Sequence, residues 1–292
     1  MVDDIFSFYR QFYPRLWRNK IVRKRVLAYN STPVKVYHDR DRYQLFVHIF
    51  DHYLEEANRI INLIRPLGLD KAKAYLEIGG GLGLVYGYLK HCGYQVYSCE
   101  PSLAGFDDFF QAGKEILKIV GISSSDWESF EGDEVKRFKR QFDLIFSNNV
   151  VEHVQDLKSS FLAFKQVLKP KGIMVHNTVN YFLPYEPHYK MWLIPFIPKL
   201  TEIVRPNLKK SPVWQHLNFI NPIEIYSIAK QTKLVAQFIP HQLSTTIKRF
   251  DSDPEFGRRH FRLRNYLPFL RLLSKLPTLL QTPLVFTLKH QP

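Results

Sequence analysis

A glycine-rich turn that follows an acidic residue is the part of the sequence best suited to bind a ligand. Glu77 lies near the end of a short apolar segment, and Gly79, Gly81 and Gly83 follow it at alternate positions. Glycine accepts positive φ angles and lets a ligand approach the main chain, while the first turn of a following helix offers free N–H groups. We therefore expect a ligand to lie close against this backbone.

The spacing of the glycines distinguishes two classes of ligand. A dinucleotide-binding fingerprint requires G-x-G-x-x-G, but counted from Gly79 its last position is Leu84, which weakens that interpretation. The pattern acidic-x-G-x-G-x-G instead resembles the first motif of class I S-adenosylmethionine-dependent methyltransferases. This resemblance implies that Glu77 faces the ammonium group of the cofactor S-adenosylmethionine, an arrangement that electrostatics favours. A plain tight turn is the alternative interpretation.

A second acidic residue, Glu100, follows the next predicted strand, residues 94–99, at the distance from Glu77 that one strand–helix–strand unit requires. In the methyltransferase family, the acidic residue at this place accepts hydrogen bonds from both ribose hydroxyls, so the resemblance assigns that role to Glu100. Asp133, with Asp126 as its rival, is the expected contact to the adenine edge. Either aspartate also suits a helix cap.

The stretch F-D-L-I-F-S-N-N-V-V-E-H-V, residues 142–154, also resembles this family. Asn148 lies at the carboxyl end of its predicted strand, where open α/β sheets bind ligands, and is a further candidate cofactor contact. In the ubiquinone-pathway O-methyltransferases, which the E-H-V segment resembles, acidic residues and a histidine here bind a divalent ion. Asn149, Glu152 and His153 have the matching i, i+3, i+4 helical spacing. Asn149 replaces a carboxylate, so we expect no metal.

Predicted strands and helices alternate around these motifs. The resemblance implies a Rossmann-like, doubly wound α/β fold with a seven-stranded, mostly parallel sheet whose last strand is antiparallel. The predicted strands cover residues 74–78, 94–99, 142–149, 173–176, 234–239 and 284–288, with a turn at 169–172. The predicted domains are a helical, basic and aromatic N-terminal extension, residues 1–69, and a methyltransferase domain, residues 70–292, with a substrate cap at 178–220 and a basic amphipathic insertion at 245–282.

The predicted cap carries more functional side chains than a connector needs. Its P-Y-E-P-H-Y string, residues 184–189, is similar to a loop of bacterial methyltransferases that act on glycans and other small hydroxylated acceptors. Methylation of an oxygen is helped by removal of its proton, and histidine suits that task near neutral pH. His188 is the first candidate base, with Glu186 orienting it or the substrate. His153 and His216 are rival bases, although each also suits a purely structural role.

The excess of basic residues, 41 against 27 acidic ones, gives a net charge of +14 and predicts anionic partners. It is concentrated in residues 10–25, among aromatic side chains, and in residues 258–280, among leucines. Such segments suit the surface of an anionic membrane, which in turn suits a lipid-linked acceptor. RNA binding is the rival interpretation, and packing of both apolar faces on the chain's own domain is the third.

The composition and the intact motifs favour an intracellular enzyme. With 292 residues and 45% hydrophobic content, the chain can bury a sizeable core. Cys92 and Cys99 suit a reducing compartment, and neither a spanning segment nor a secretory signal is apparent. We therefore expect a cytoplasmic methyltransferase, free or peripheral on the inner membrane surface, that acts on a small-molecule, glycan or lipid-linked acceptor. An RNA methyltransferase and a non-catalytic cofactor-binding scaffold are the alternatives, and the intact glycines and Glu100 disfavour the scaffold.

Overall fold

The computed structural model of the chain describes residues 4–28, 39–101 and 107–291. The chain divides into two compact units, Met1–Glu131 and Gly132–Pro292. Within the described residues, no helix is both long enough and apolar enough to cross a membrane. The predicted division at residue 70 stays a prediction.

The first unit contains three parallel strands, in the order β3-β2-β1, and the helices around them. Its strands are β1 (Ala74–Ile78), β2 (Gln95–Cys99) and β3 (Trp127–Glu128). Its helices are α1 (Ile5–Arg10), α2 (Tyr13–Arg18), α3 (Lys20–Ala28), α4 (Asp39–Ile64), α5 (Leu84–His91) and α6 (Asp107–Val120), with a 3-10 turn at Arg65–Leu67. The glycine turn therefore joins a buried strand to a helix, as the sequence predicts.

The aromatic side chains of the N-terminal helices pack within the first unit. Phe8, Tyr9 and Tyr13 are buried, and the ring of Phe8 stacks on His91 with the ring centroids 4.2 Å apart. The hydroxyl of Tyr9 donates a hydrogen bond of 2.9 Å to the carbonyl oxygen of Leu84, the first residue of α5. Of the three interpretations of this basic and aromatic segment, packing on the chain's own domain is the one that accounts for these side chains.

The second unit contains four strands in the order β4-β5-β9-β8 and a separate two-stranded hairpin, β6-β7. The strands are β4 (Phe142–Asn148), β5 (Leu168–Thr178), β6 (Tyr185–Glu186), β7 (Met191–Trp192), β8 (Leu234–Phe238) and β9 (Leu284–His290). The α-helices are α7 (Leu157–Val167), α8 (Thr201–Val204), α9 (Pro212–His216), α10 (Pro222–Gln231), α11 (Gln242–Ser252), α12 (Pro254–Arg259), α13 (Phe261–Arg264) and α14 (Leu267–Leu273). The 3-10 helices are Gly132–Phe138, Val151–His153, Pro198–Leu200, Pro206–Lys210 and Thr278–Leu280.

The predicted fold class is confirmed. Besides the hairpin, the described residues contain seven strands. Strand β9 runs antiparallel to both β5 and β8, whereas the pairs β1–β2, β2–β3 and β4–β5 are parallel. The predicted turn at 169–172 is wrong in one respect, because these residues lie inside the bounds of β5. Leu168 pairs with Phe142 and Ile173 pairs with Leu144, so the four residues between them bulge out of the register.

Candidate functional site

Two carboxylates lie buried beside the glycine turn of the first unit. Glu77 accepts a hydrogen bond of 3.1 Å from the hydroxyl of Ser98, and Glu100 accepts one of 2.7 Å from the main-chain N–H of Gly81. Burial raises the pKa of Glu77 to about 8, with the Ser98 bond opposing this rise and the charge of Glu100 adding to it. Burial also raises the pKa of Glu100 to about 7, against the Gly81 bond and the charge of Arg25. A cationic ligand would favour ionisation of both groups.

The glycines of the turn are required for different reasons. Gly81 has a φ of 56°, and a Cβ atom built there would meet nothing within 4 Å, so open space lies beside it. Gly83 has a φ of 68°, and its Cβ would come within 3.2 Å of the ring of Trp127. This buried tryptophan stacks on Tyr86, and its Nε1 has no hydrogen-bond partner among the described residues. The positive φ therefore favours glycine at both positions, and packing against Trp127 is a second requirement at Gly83 only.

The other residues predicted to contact the cofactor lie in ordinary protein contacts or on the surface of their own unit. Gly79 has a φ of 71° and donates a hydrogen bond of 2.9 Å to the carbonyl oxygen of Cys99. Asp126 accepts a hydrogen bond of 2.5 Å from the Nζ atom of Lys90. Asp133 belongs to the second unit, where it is exposed in the first turn of the 3-10 helix Gly132–Phe138. Asp133 thus lies inside this helix and not at its N-cap, and its contact to adenine stays a prediction.

A cluster of two histidines, two glutamates and a threonine lies in the second unit. We call this set, His153, His188, Glu152, Glu186 and Thr178, the histidine cluster. Glu186 is fully buried and accepts a hydrogen bond of 2.6 Å from Nδ1 of His188, whose side chain is 29% exposed. The rings of His188 and His153 meet edge to face with their centroids 4.9 Å apart. Thr178 donates a hydrogen bond of 2.7 Å to Glu152.

The charges within the histidine cluster give its two histidines different protonation behaviour. Burial alone would lower the pKa of His188, but the hydrogen bond and charge of Glu186, followed by the charge of Glu152, raise it above its ordinary value. Burial lowers the pKa of His153 to about 3, and the charges of His188 and His216 add to this effect. His153 is therefore neutral, and His188 is the histidine whose charged form the cluster stabilises.

The Glu186–His188 pair lies on a short hairpin within the predicted cap. Glu186 ends β6 and is paired with Met191 of β7, so His188 lies in the connection between the two strands. The main-chain N–H of Tyr189 donates a second hydrogen bond, of 2.7 Å, to Glu186. The cap also has a hydrophobic core of its own, formed by Tyr181, Met191, Leu193, Leu208, Trp214 and Leu217. The hydrogen bonds to Glu186 and the packing of Met191 in this core thus stabilise the hairpin that carries the pair.

The helical arrangement expected for Asn149, Glu152 and His153 is not formed. The 3-10 helix Val151–His153 begins after Asn149, which is exposed and has a φ of 55°. Asn149 therefore cannot share a helical face with Glu152 and His153, and the predicted i, i+3, i+4 geometry is wrong. Over the part of the chain that the structure describes, no group of three or more histidine, cysteine, aspartate or glutamate side chains is arranged to hold a metal ion.

The remaining predicted residues, Asn148 and His216, are hydrogen-bonded within the second unit. Asn148, at the end of β4, accepts a hydrogen bond of 2.6 Å from the side chain of Asn177. His216 has its Nδ1 atom 3.1 Å from the side-chain nitrogen of Gln155. Thr178 is not among the predicted site residues, although it is the last residue of β5 and polar residues at the carboxyl ends of parallel strands commonly face a ligand.

Comparison with known proteins agrees with this architecture. A family model described as a methyltransferase domain matches residues 50–235. An uncharacterized protein of Mycobacterium tuberculosis, Rv1509, is 30% identical over 196 residues, which cover 64% of this chain and 66% of that protein. A ubiquinone biosynthesis O-methyltransferase of Rickettsia bellii is 24% identical over 164 residues, which cover 54% of this chain and 60% of the relative. The matched region thus spans less than two thirds of the length of these relatives.

Solved structures show the same fold. Phosphoethanolamine N-methyltransferase 2 of Haemonchus contortus, determined in complex with S-adenosyl-L-methionine, has a TM-score of 0.50 and 15% identity. The match covers 97% of this chain and 60% of that one. A second structure of this enzyme, with phosphomonomethylethanolamine and S-adenosylhomocysteine, also has a TM-score of 0.50, at 16% identity, and covers 80% of this chain and 53% of that one.

Proposed function

The chain belongs to the class I S-adenosylmethionine-dependent methyltransferase family, and from this membership we propose that it methylates an oxygen atom of a hydroxylated acceptor with His188 as the general base. The observation that carries the proposal is the hydrogen bond of 2.6 Å between the fully buried Glu186 and the partly exposed His188. S-adenosylmethionine supplies the methyl group when it is bound. The chain must therefore position the acceptor and remove its proton.

The Glu186–His188 pair suits proton removal because the hydrogen bond orients the His188 ring and the charge of Glu186 stabilises its protonated form. The Nδ1–H of neutral His188 donates to the Glu186 carboxylate, which leaves the lone pair on Nε2 to accept the proton of the acceptor hydroxyl. The imidazolium that forms is stabilised by the adjacent carboxylate, and the raised pKa of His188 expresses this stabilisation. A positioned base of this kind contributes roughly 10²- to 10⁴-fold to the rate.

Glu152 is proposed to orient the acceptor. Its Oε2 accepts the hydrogen bond from Thr178, whereas its Oε1 is buried and has no hydrogen-bond partner among the described residues. Burial raises the pKa of this carboxyl group. A hydroxyl group of the substrate would donate a hydrogen bond to the Oε1 atom of Glu152. An acceptor with two hydroxyl groups could contact both His188 and Glu152. A glycan or a lipid-linked hydroxylated ring has this property, and the name of the Rickettsia relative supports oxygen as the methylated atom.

The glycine turn and its two carboxylates are proposed to hold the cofactor. Glu77 is assigned to the ammonium group and Glu100 to the ribose hydroxyls, with Gly79, Gly81 and Gly83 beneath the ligand. The residues fit such a ligand because both carboxylates are buried with raised pKa values, so a cationic ligand would stabilise their ionised forms. Gly81 adds the open space that a close approach to the main chain requires.

Calorimetric titration with S-adenosylmethionine, and separately with a reduced dinucleotide, tests the cofactor assignment, and we expect saturable binding of the first alone. Transfer of labelled methyl groups to a panel of hydroxylated acceptors then tests the chemistry. His188→Ala should lower turnover by roughly 10²-fold or more without changing cofactor affinity. His216→Gln is the matched control in the same region. A His188→Ala protein that keeps its turnover, or a comparable loss in His216→Gln, would contradict the assignment of the base.

A further inference from the structure

Exposed apolar side chains are concentrated in two segments of the second unit, residues 192–210 and 261–280. They contain twelve of the eighteen large hydrophobic side chains that are exposed among the described residues. Phe196 is 95% exposed and Ile203 is 69% exposed. The helices α13 and α14, although rich in leucine and phenylalanine, bury none of their residues. Apolar surface of this density on a folded chain marks an interaction site.

One side-chain contact joins these segments into a single surface, which we call the docking surface, and a second contact lies beside it. The rings of Trp192 and Tyr266 meet edge to face with their centroids 5.7 Å apart. Close by, the hydroxyl of Tyr185 lies 3.1 Å from the Nδ1 atom of His260. Tyr185 and Trp192 are paired residues of the β6-β7 hairpin, and Tyr185 directly precedes Glu186. The docking surface therefore adjoins the hairpin that carries the proposed base.

The charge of the docking surface is almost entirely positive. Its two segments contain eight lysine and arginine residues, all of them exposed, and Glu202 is their only acidic residue. Glu202 is half-buried and accepts a hydrogen bond of 2.7 Å from Nε1 of Trp214, so its carboxylate is held in the cap. Basic side chains among exposed apolar ones complement an anionic headgroup layer above hydrocarbon.

We propose that this surface docks the protein on an anionic lipid bilayer, with the exposed apolar side chains in the interface and the basic side chains on the headgroups. The leucine, isoleucine and valine side chains of the surface favour lipid over RNA, because aliphatic groups gain from hydrocarbon contact but cannot stack on bases. Docking beside Glu186 would deliver a lipid-linked hydroxylated acceptor to the cap, and this last step rests on the proposed function.

Vesicle flotation of the full chain tests the docking surface without cofactor or acceptor. We expect flotation with vesicles of phosphatidylcholine and phosphatidylglycerol, weaker flotation at high salt, and none with phosphatidylcholine alone. The double variant Phe261→Ser, Leu272→Ser, at positions 63% and 61% exposed in the segment outside the predicted cap, should bind at least about tenfold more weakly. Ile223→Ser is the matched control, because Ile223 is 66% exposed on α10, outside the surface.

Three results would overturn the docking proposal. The first is an equal loss of vesicle binding in the double variant and the control. The second is binding of single-stranded RNA in place of vesicles, and the third is self-association that the double variant abolishes. Methyl transfer to a water-soluble acceptor separates this proposal from the proposed function. The double variant should retain that activity in full, so loss of vesicle binding alone leaves the chemistry of His188 standing, and failed methyl transfer leaves the lipid contact standing.

Discussion

Replacement of Glu77 by glutamine should stabilise the ligand-free protein and weaken cofactor binding at the same time. The pKa of Glu77 is raised from 4.5 to about 8, chiefly by burial. Between these two values the folded chain holds a proton that the unfolded chain has released. The free energy of unfolding therefore falls as the pH rises through this window, by about 1.4 kcal/mol for each pH unit.

At pH 7 this effect amounts to about 3 kcal/mol, which Glu77→Gln should restore because an amide does not titrate. The amide oxygen can still accept the hydrogen bond of Ser98, so the local packing is kept. We expect a rise in the midpoint of thermal unfolding of roughly 5 to 10 °C at pH 7. The expected gain is smaller at pH 5, because the glutamate of the unfolded chain, with its ordinary pKa of 4.5, is still partly protonated there.

Cofactor binding should change in the opposite direction. Loss of one partner of a buried ion pair costs about 3 kcal/mol or more, which corresponds to roughly 100-fold weaker binding of S-adenosylmethionine. Thermal unfolding at several pH values and calorimetric titration measure the two effects on the same samples. Glu134→Gln, at an exposed position, should change neither. A Glu77→Gln protein that keeps its cofactor affinity, or whose stability follows the wild-type pH dependence, would refute the assignment of Glu77.

Two further changes test the protonation of the base and the packing of the glycine turn. Glu186→Gln should move the rising limb of the pH–rate profile of methyl transfer to lower pH, because the raised pKa of His188 depends on the Glu186 charge, and an unmoved limb would contradict this coupling. Gly83→Ala should cost roughly 1 kcal/mol more in chemical denaturation than Gly81→Ala, since only its Cβ approaches Trp127, and equal costs would show that backbone strain alone decides.

The features that local residue patterns determine were predictable from the sequence. The apolar run of β1 and the glycines after it predict a strand, a turn and a helix, all of which are present. Asn221 and Pro222 predict the start of α10, where the Asn221 side chain accepts from the N–H groups of Ile223 and Glu224. Turn and cap residues act over two or three positions, so a single sequence contains the information needed to place them.

The features that depend on distant residues were not predictable in this way. No spacing rule indicates that Tyr9 bonds to the carbonyl of Leu84, 75 positions away, or that Trp127 packs against Gly83. The same limitation explains why the helical geometry expected for Asn149, Glu152 and His153 is wrong. A spacing of i, i+3, i+4 places residues on one face only if the segment is helical. Asn149 has a positive φ and precedes the 3-10 helix Val151–His153, so it is not part of a helix.

The choice among the three candidate bases follows from the position of one carboxylate. From the sequence, His153, His188 and His216 differ only in their neighbours along the chain. In the structure, the buried Glu186 bonds to His188 and raises its pKa, whereas burial lowers the pKa of His153 to about 3. A histidine with so low a pKa is a weak proton acceptor. His153 is therefore a neutral side chain packed against the ring of His188, and we assign the proposed proton removal to His188, which Glu186 stabilises in its charged form.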